Sequence, residues 1–222
     1  MRLAPGTLIS TDAILFDMDG TLVDSTAAIE RCWTRWADRH DLDADSLIRQ
    51  SHGVRLADTV GRFAPSQCDV HTEIDRLMTW EREETDGIVA VPGAAELIDA
   101  LPPDSWALVT SADRALATRR MRLAGLPLPD ICVCAEDVTA GKPAPEGYLK
   151  AAEKFGGNRR TFLVFEDSPA GLKAGENAGF DVIAIASALA SAPSSQDWLA
   201  DFRSIVVERN PDRHGITLRV AE

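Results

Sequence analysis

Residues 13–21 read Ala13-Ile14-Leu15-Phe16-Asp17-Met18-Asp19-Gly20-Thr21, a short apolar run that breaks into two carboxylates one residue apart and then a glycine. A run of this length ending in a Gly turn predicts a buried parallel strand. Asp17 and Asp19 then sit at the strand's carboxyl end, where open α/β sheets place their ligand sites. Two acids beside a low-dielectric core repel each other, and the pKa of one rises unless a cation lies between them. The pattern therefore asks for a divalent metal with oxygen ligands, Mg²⁺ being the usual choice, with one carboxylate available as nucleophile and the other as acid/base. Taken alone, Asp-x-Asp-Gly is equally a solvated turn. The rest of the chain decides between the two.

After Thr21 the pattern turns helical. Ser25 and Thr26 can cap a helix whose apolar positions Ile29, Cys32, Trp33 and Trp36 recur at helical spacing. Leu56, Val60 and Phe63 predict a second helix, and Val70, Ile74, Leu77 and Met78 a third. No strand is expected between residues 24 and 90. Beyond Pro92-Gly93 strand and helix signals alternate: strands at 106–110, 131–134, 161–165, 181–186 and 205–207, helices at 113–124, 145–155 and from Ser168-Pro169 to Gly179. Such alternation predicts right-handed β-α-β units and a parallel sheet covered by helices on both faces. The expected fold is α/β: a Rossmann-like parallel-sheet core (residues 1–23 and 91–222) with a small helical cap (residues 24–90) inserted after the first strand.

Three further segments bring chemistry to the same sheet edge. Thr110-Ser111-Ala112 offers a hydroxyl and consecutive backbone amides at a helix start, which suits a phosphate oxygen. Lys142, in Gly141-Lys142-Pro143-Ala144-Pro145, sits on a stretch stiffened by two prolines. It stands out because the chain has only four lysines against nineteen arginines. Phe165-Glu166-Asp167-Ser168-Pro169 ends an apolar strand with two more carboxylates, of which Asp167 could also be a helix cap. On a parallel sheet Asp17, Asp19, Thr110, Lys142 and Asp167 converge.

Composition narrows the partners. With 222 residues, 45% hydrophobic and 26% charged, the chain reads as one large globule or a globule with an insert. A net charge of −12 argues against nucleic acid, which needs clustered Lys and Arg. No run approaches a membrane span or the apolar core of a signal peptide, so a cytoplasmic protein with no membrane partner is expected. Cys32, Cys68, Cys132 and Cys134 form no C-x-x-C pair and read as buried thiols.

The residues set out above resemble, in order and spacing, the four motifs of the haloacid dehalogenase superfamily. The resemblance implies that Asp17 attacks phosphorus to give an aspartyl-phosphate, while Asp19 protonates the leaving oxygen and later deprotonates water. It implies that Thr110 and Lys142 hold the phosphoryl group, and that Mg²⁺ is bound by the Asp17 side chain, the Asp19 carbonyl and Asp167, with Glu166 joining them or lying behind them. Asp19 is the acid that true haloacid dehalogenases lack. The absence of lysine from residues 24–90 removes the Schiff base of phosphonate-cleaving members.

More narrowly, Ser51-His52-Gly53-Val54-Arg55, Val109-Thr110-Ser111-Ala112-Asp113-Arg114 and Gly141–Leu149 resemble the glycerol-phosphate and 2-deoxyglucose-6-phosphate phosphatase group. That implies a small phosphorylated sugar or polyol as substrate, met by Gly20, His52, Arg55, Ser111, Ala112 and Arg114, in a monomer or weak homodimer. The group usually carries Gly where Ala112 stands. The competing expectations are a sugar phosphomutase of the β-phosphoglucomutase kind and an idle binding protein.

Overall fold

The computed structural model describes residues 1–156, 161–186, 197–208 and 215–222. The chain opens with β1 (Leu8–Thr11), β2 (Ala13–Phe16) and the two-residue β3 (Val23–Asp24). Four helices follow: α1 (Thr26–His40), α2 (Ala44–Ser51), α3 (Leu56–Phe63) and α4 (Val70–Glu83). After β4 (Val89–Ala90) come α5 (Ala94–Ala100), β5 (Trp106–Val109), α6 (Arg114–Leu123), β6 (Cys132–Val133), α7 (Glu146–Lys154), β7 (Phe162–Glu166), α8 (Pro169–Asn177), β8 (Asp181–Ile185) and β9 (Asp197–Leu199). The last strands are β10 (Ile205–Glu208) and β11 (Ile216–Val220).

Six strands form one parallel sheet in the order β6-β5-β2-β7-β8-β9. Every residue of β2, β5 and β7 is buried, which is why these strands read as unbroken apolar runs. Their side chains alternate between two cores: Ile14, Phe16, Leu108, Leu163 and Phe165 face one layer of helices, and Ala13, Leu15, Ala107, Val109 and Val164 the other. Phe16 stacks on Phe165 with ring centroids 5.4 Å apart, locking the two central strands in register. Phe16 pairs with Leu108 on one side and Phe165 on the other. The next residues along each strand, Asp17, Val109-Thr110 and Glu166-Asp167, therefore leave the sheet side by side.

Two expectations need correction. Ile205–Val207 does not extend the parallel sheet: β10 pairs antiparallel with β11, and β11 with β1, in a separate three-stranded sheet. The burial of β11 alternates residue by residue, the mark of a strand with one wet face, and neither β11 nor β1 has the apolar run by which β2 was found. The stretch 24–90 is not strand-free either. Val23 pairs with Ala90 and Asp24 with Val89, so a two-residue antiparallel clasp of β3 and β4 joins the two crossings into the helical insert. Strands so short carry no readable period.

The insert has its own core. Cys32, Trp33, Trp36, Leu47, Val60 and Leu77 pack together, with Trp33 and Trp36 edge to face at 5.8 Å. Buried among them, Glu73 accepts from Trp36 Nε1 at 2.9 Å, lies 3.0 Å from His40 Nε2 and pairs with Arg76. Burial alone would raise its pKa, but these partners hold it down to about 2. The four cysteines are free thiols, with Cys132 and Cys134 3.4 Å apart in the interior. No helix among the described residues is long and apolar enough to cross a membrane.

Candidate active site

Asp17 directly follows β2, its backbone N–H bonded to the Phe165 carbonyl at 3.0 Å. Its Oδ1 accepts from Lys142 Nζ at 2.5 Å, and Oδ2 has no hydrogen-bond partner among the described residues. Lys142 comes from the loop between β6 and α7 rather than from a strand end. Its ammonium also donates to Glu166 Oε1 and, at 3.2 Å, to the Val109 carbonyl. Burial opposes the Lys142 charge, yet Asp17 and Glu166 outweigh it and keep the amine protonated well beyond neutrality.

Glu166 ends β7 and is wholly buried. Besides Lys142, its Oε1 accepts from Tyr148 Oη at 3.1 Å, while Oε2 accepts from the backbone of Asp167 and Ser168 at 2.9 Å each and from Ser168 Oγ at 3.0 Å. Both oxygens are thus fully engaged, and burial is outweighed by Lys142 and Ser168 so that Glu166 stays ionised below the usual carboxylate range. A side chain at Gly171 would collide with this carboxylate. Ser168, rather than Asp167, caps α8 by accepting from the Gly171 N–H at 3.0 Å.

Asp167 is buried beside Asp17, its Oδ2 2.6 Å from His52 Nε2 and its Oδ1 3.4 Å from the Thr21 hydroxyl. Gly20, at φ +84°, lets the loop after Asp19 close over Asp167, where a Cβ would strike the carboxylate. Burial, then the neighbouring Glu166, push the Asp17 carboxyl well above its ordinary range, and burial pushes Asp167 to about 6 against the pull of His52. Burial works against the His52 charge as well, but its bond to Asp167 raises its pKa. Asp17, Glu166 and Asp167 can each bring a carboxylate oxygen within 4.8 Å of the others. Crowded carboxylates of which two, Asp17 and Asp167, have pKa values raised by burial fit a hard divalent cation such as Mg²⁺. With Glu166 held by its donors, the unengaged oxygen is Asp17 Oδ2, and Asp167 Oδ1 carries only the 3.4 Å contact with Thr21.

Asp19 projects differently. Its Oδ1 accepts from Ser25 Oγ at 2.6 Å and its Oδ2 from Arg120 Nη1 at 2.8 Å. Ser25 precedes α1, but its side chain makes no cap there, because the hydroxyl is turned back to Asp19. Ser25, Arg120 and Tyr148 are site residues that the sequence reading missed. A signal existed for Arg120: it shares the buried face of α6 with Leu116, Ala117 and Met121, a position where a charge needs a reason.

Thr110 is buried at the end of β5, and its Oγ1 accepts from the Ala112 N–H at 3.1 Å, leaving the hydroxyl proton free to donate. The Ser111 hydroxyl donates to the Gly53 carbonyl at 2.8 Å, joining the core to the insert's 51–55 loop. Arg55 crosses the same gap: it forks onto Asp58 at 2.7 and 3.1 Å and donates to the Val138 carbonyl at 3.1 Å. Arg55, Thr110, Ser111, Lys142 and Tyr148 line one small cleft. Arg114 does not reach it. Its guanidinium is held by Asp137 at 2.5 Å and the Cys132 carbonyl at 3.3 Å, on the outer side of α6.

The chain is similar over most of its length to several phosphatases. Hexitol phosphatase A of Escherichia coli is 42% identical over 175 residues, covering 77% of this chain and 81% of that protein. In Saccharomyces cerevisiae, glycerol-1-phosphate phosphohydrolase 1 is 35% identical over 192 residues (81% and 76% covered). From the same yeast, 2-deoxyglucose-6-phosphate phosphatase 1 is 30% identical over 238 residues (95% and 96%). Residues 11–179 match the haloacid dehalogenase-like hydrolases, a span that runs from the strand before Asp17 past Asp167, and the chain belongs to that family.

Proposed function

We propose that the protein is a Mg²⁺-dependent phosphatase of small sugar or polyol phosphates that works through an aspartyl-phosphate on Asp17, with residues 24–90 acting as a cap over a core of residues 1–23 and 91–222. The observation that supports this most is the pairing of Asp17 with Lys142. One carboxylate oxygen is pinned by a buried ammonium while the other has no partner, beside a second buried acid. A nucleophile held in this way meets phosphorus in one orientation.

In the first step an Asp17 oxygen forms a bond to phosphorus and the bond to the sugar oxygen breaks, Asp19 giving its proton to the departing alkoxide. In the second, water attacks the same phosphorus, Asp19 takes the water's proton, and the Asp17 carboxylate is released with inorganic phosphate. Lys142 and the Thr110 hydroxyl bind the equatorial oxygens, whose charge the transition state spreads. Glu166 keeps Lys142 charged and aimed. Mg²⁺, bound by Asp17, Asp167 and the Asp19 carbonyl, would neutralise phosphoryl charge and hold the phosphate in line. The cap supplies His52 and Arg55 to the leaving group, and free thiols throughout suit a reducing, cytoplasmic setting.

The named substrates of the relatives, a hexitol phosphate among them, favour a phosphomonoesterase over the mutase reading. The test is phosphate release from a panel of sugar, polyol and aryl phosphates with Mg²⁺ and with excess chelator. Release from aliphatic phosphates with Mg²⁺ alone is expected. Isomer interconversion that needs a sugar bisphosphate would replace the proposal with a mutase.

A further inference from the structure

We infer that Arg120 is a positioning residue that ties the direction of the Asp19 carboxylate to the seating of cap helix α4, through Glu81. The inference rests on the acid/base role proposed for Asp19.

Arg120 is 2% exposed and lies on the core helix α6, among apolar neighbours. Its guanidinium joins two elements. Nη1 donates to Asp19 Oδ2 at 2.8 Å, and Nη2 lies 3.6 Å from Oε1 of Glu81 on α4, itself buried. The Nε atom is buried with no partner among the described residues. An ion cluster desolvated to this extent seldom adds stability over apolar residues of the same volume, so packing does not explain a cation here. Geometry does: a planar guanidinium fixes two acceptors relative to each other, which a lysine ammonium cannot do. The seam between α4 and α6 carries a second ion pair, Arg82 to Asp113 at 3.0 Å, and Asp113 also caps α6. The other Asp19 oxygen is held by Ser25, where the chain first crosses into the insert. Both oxygens of the acid/base are therefore held by groups whose own positions depend on how the cap sits.

Asp19 must face the leaving oxygen to protonate it, so misdirecting it hurts poor leaving groups and spares good ones. The experiment uses the full chain with Mg²⁺ and compares kcat/KM for the best aliphatic phosphomonoester with kcat/KM for p-nitrophenyl phosphate, whose phenolate leaves without a proton. Arg120→Met should lower the aliphatic value by about 10²-fold, the scale of a lost general acid, and the aryl value by no more than roughly 3-fold. Glu81→Gln should give the same split at smaller size, Arg120→Lys should restore only part of the loss, and the Arg120→Met/Glu81→Gln double variant should be no worse than Arg120→Met. Equal losses for both leaving groups, or no split in Glu81→Gln, would overturn the inference. Melting temperatures read the tie without activity: the combined loss in Arg120→Met/Glu81→Gln should fall short of the sum of the single losses, and additive losses would also overturn it. A wild-type protein inert toward every phosphomonoester would sink the proposed function instead, and the melting-temperature cycle would still decide whether Arg120 and Glu81 act as one unit.

Discussion

The carboxyl edge of the sheet and the 51–55 loop of the insert face each other across the cleft and are built on opposite plans. At the edge Asp17, Lys142, Glu166 and Asp167 are all buried, and Lys142 and Glu166 alone engage a strand carbonyl, a tyrosine and the first turn of α8. In the loop His52, Gly53 and Arg55 are partly exposed, and each reaches the core through a single bond: to Asp167, to Ser111 and to the Val138 carbonyl. A buried, mutually satisfied network holds one geometry whatever the substrate; single bonds from a half-exposed loop can be remade. On the proposed function, chemistry common to all substrates belongs to the first, and choice among substrates to the second.

The comparison breaks most visibly at Asp17. Asp17→Asn removes the proposed nucleophile but keeps the shape, so turnover should fall by roughly four or more orders of magnitude for every substrate with the fold intact. Near-normal turnover would end the covalent route. Lys142→Ala leaves Glu166 buried without its cation, and the protein should lose roughly 3–5 kcal/mol of stability in urea titrations. Its kcat/KM should fall by a similar factor across the phosphomonoester panel, because the phosphoryl group it is proposed to meet is shared; a substrate-dependent fall would move Lys142 to the other side of the comparison.

Arg55→Ala tests the loop. It should cost a sugar phosphate about 1–3 kcal/mol in kcat/KM, the worth of a charged hydrogen bond, and p-nitrophenyl phosphate less. A uniform loss would make the loop a lid rather than a selector. The smallest effect concerns the charges themselves. Asp167 titrates near 6 in the fold against 3.8 unfolded, and the His52 pKa is raised as well. Between those limits the folded state binds more protons, so in chelator stability should fall as pH rises from 5 to 7.5, by a few degrees in Tm. Mg²⁺ should flatten that slope. A chelated protein whose Tm climbs over this range would contradict the burial of the acid pair.

What the sequence disclosed follows where burial is complete. Ala13–Phe16 and Phe162–Glu166 are enclosed on both faces, so a continuous apolar run had one reading, and the acids at their ends stood out against it. Residues 216–220 bury every second side chain, and the two-residue strands β3 and β4 bury too little to leave a pattern. Arg114 and Arg120 lie on the same helix, but six residues place them on different faces. The one nearer the Thr110 motif pairs with Asp137 away from the cleft, while the one turned inward holds Asp19. Ser25 was legible as a helix-start residue and misleading as one, since its hydroxyl can either cap its own helix or donate to a carboxylate elsewhere, and sequence shows only the local use.

The central position of β2 has a consequence for synthesis. The strand carrying the proposed nucleophile is made well before both of its partners: β5 lies about ninety residues on, and β7 nearly one hundred and fifty. At roughly 5–20 residues per second, Ala13–Phe16 waits about five to twenty seconds for its first sheet neighbour and longer for its second. During that time the four helices between β3 and β4, which pack on one another through a core of their own, can collapse without the sheet. The nascent chain therefore carries an unpaired, wholly apolar strand beside a folding helical unit, a long-range pairing slow to form and open to wrong partners. In this protein the strand that ends at Asp17 depends for its protection on strands made long after it.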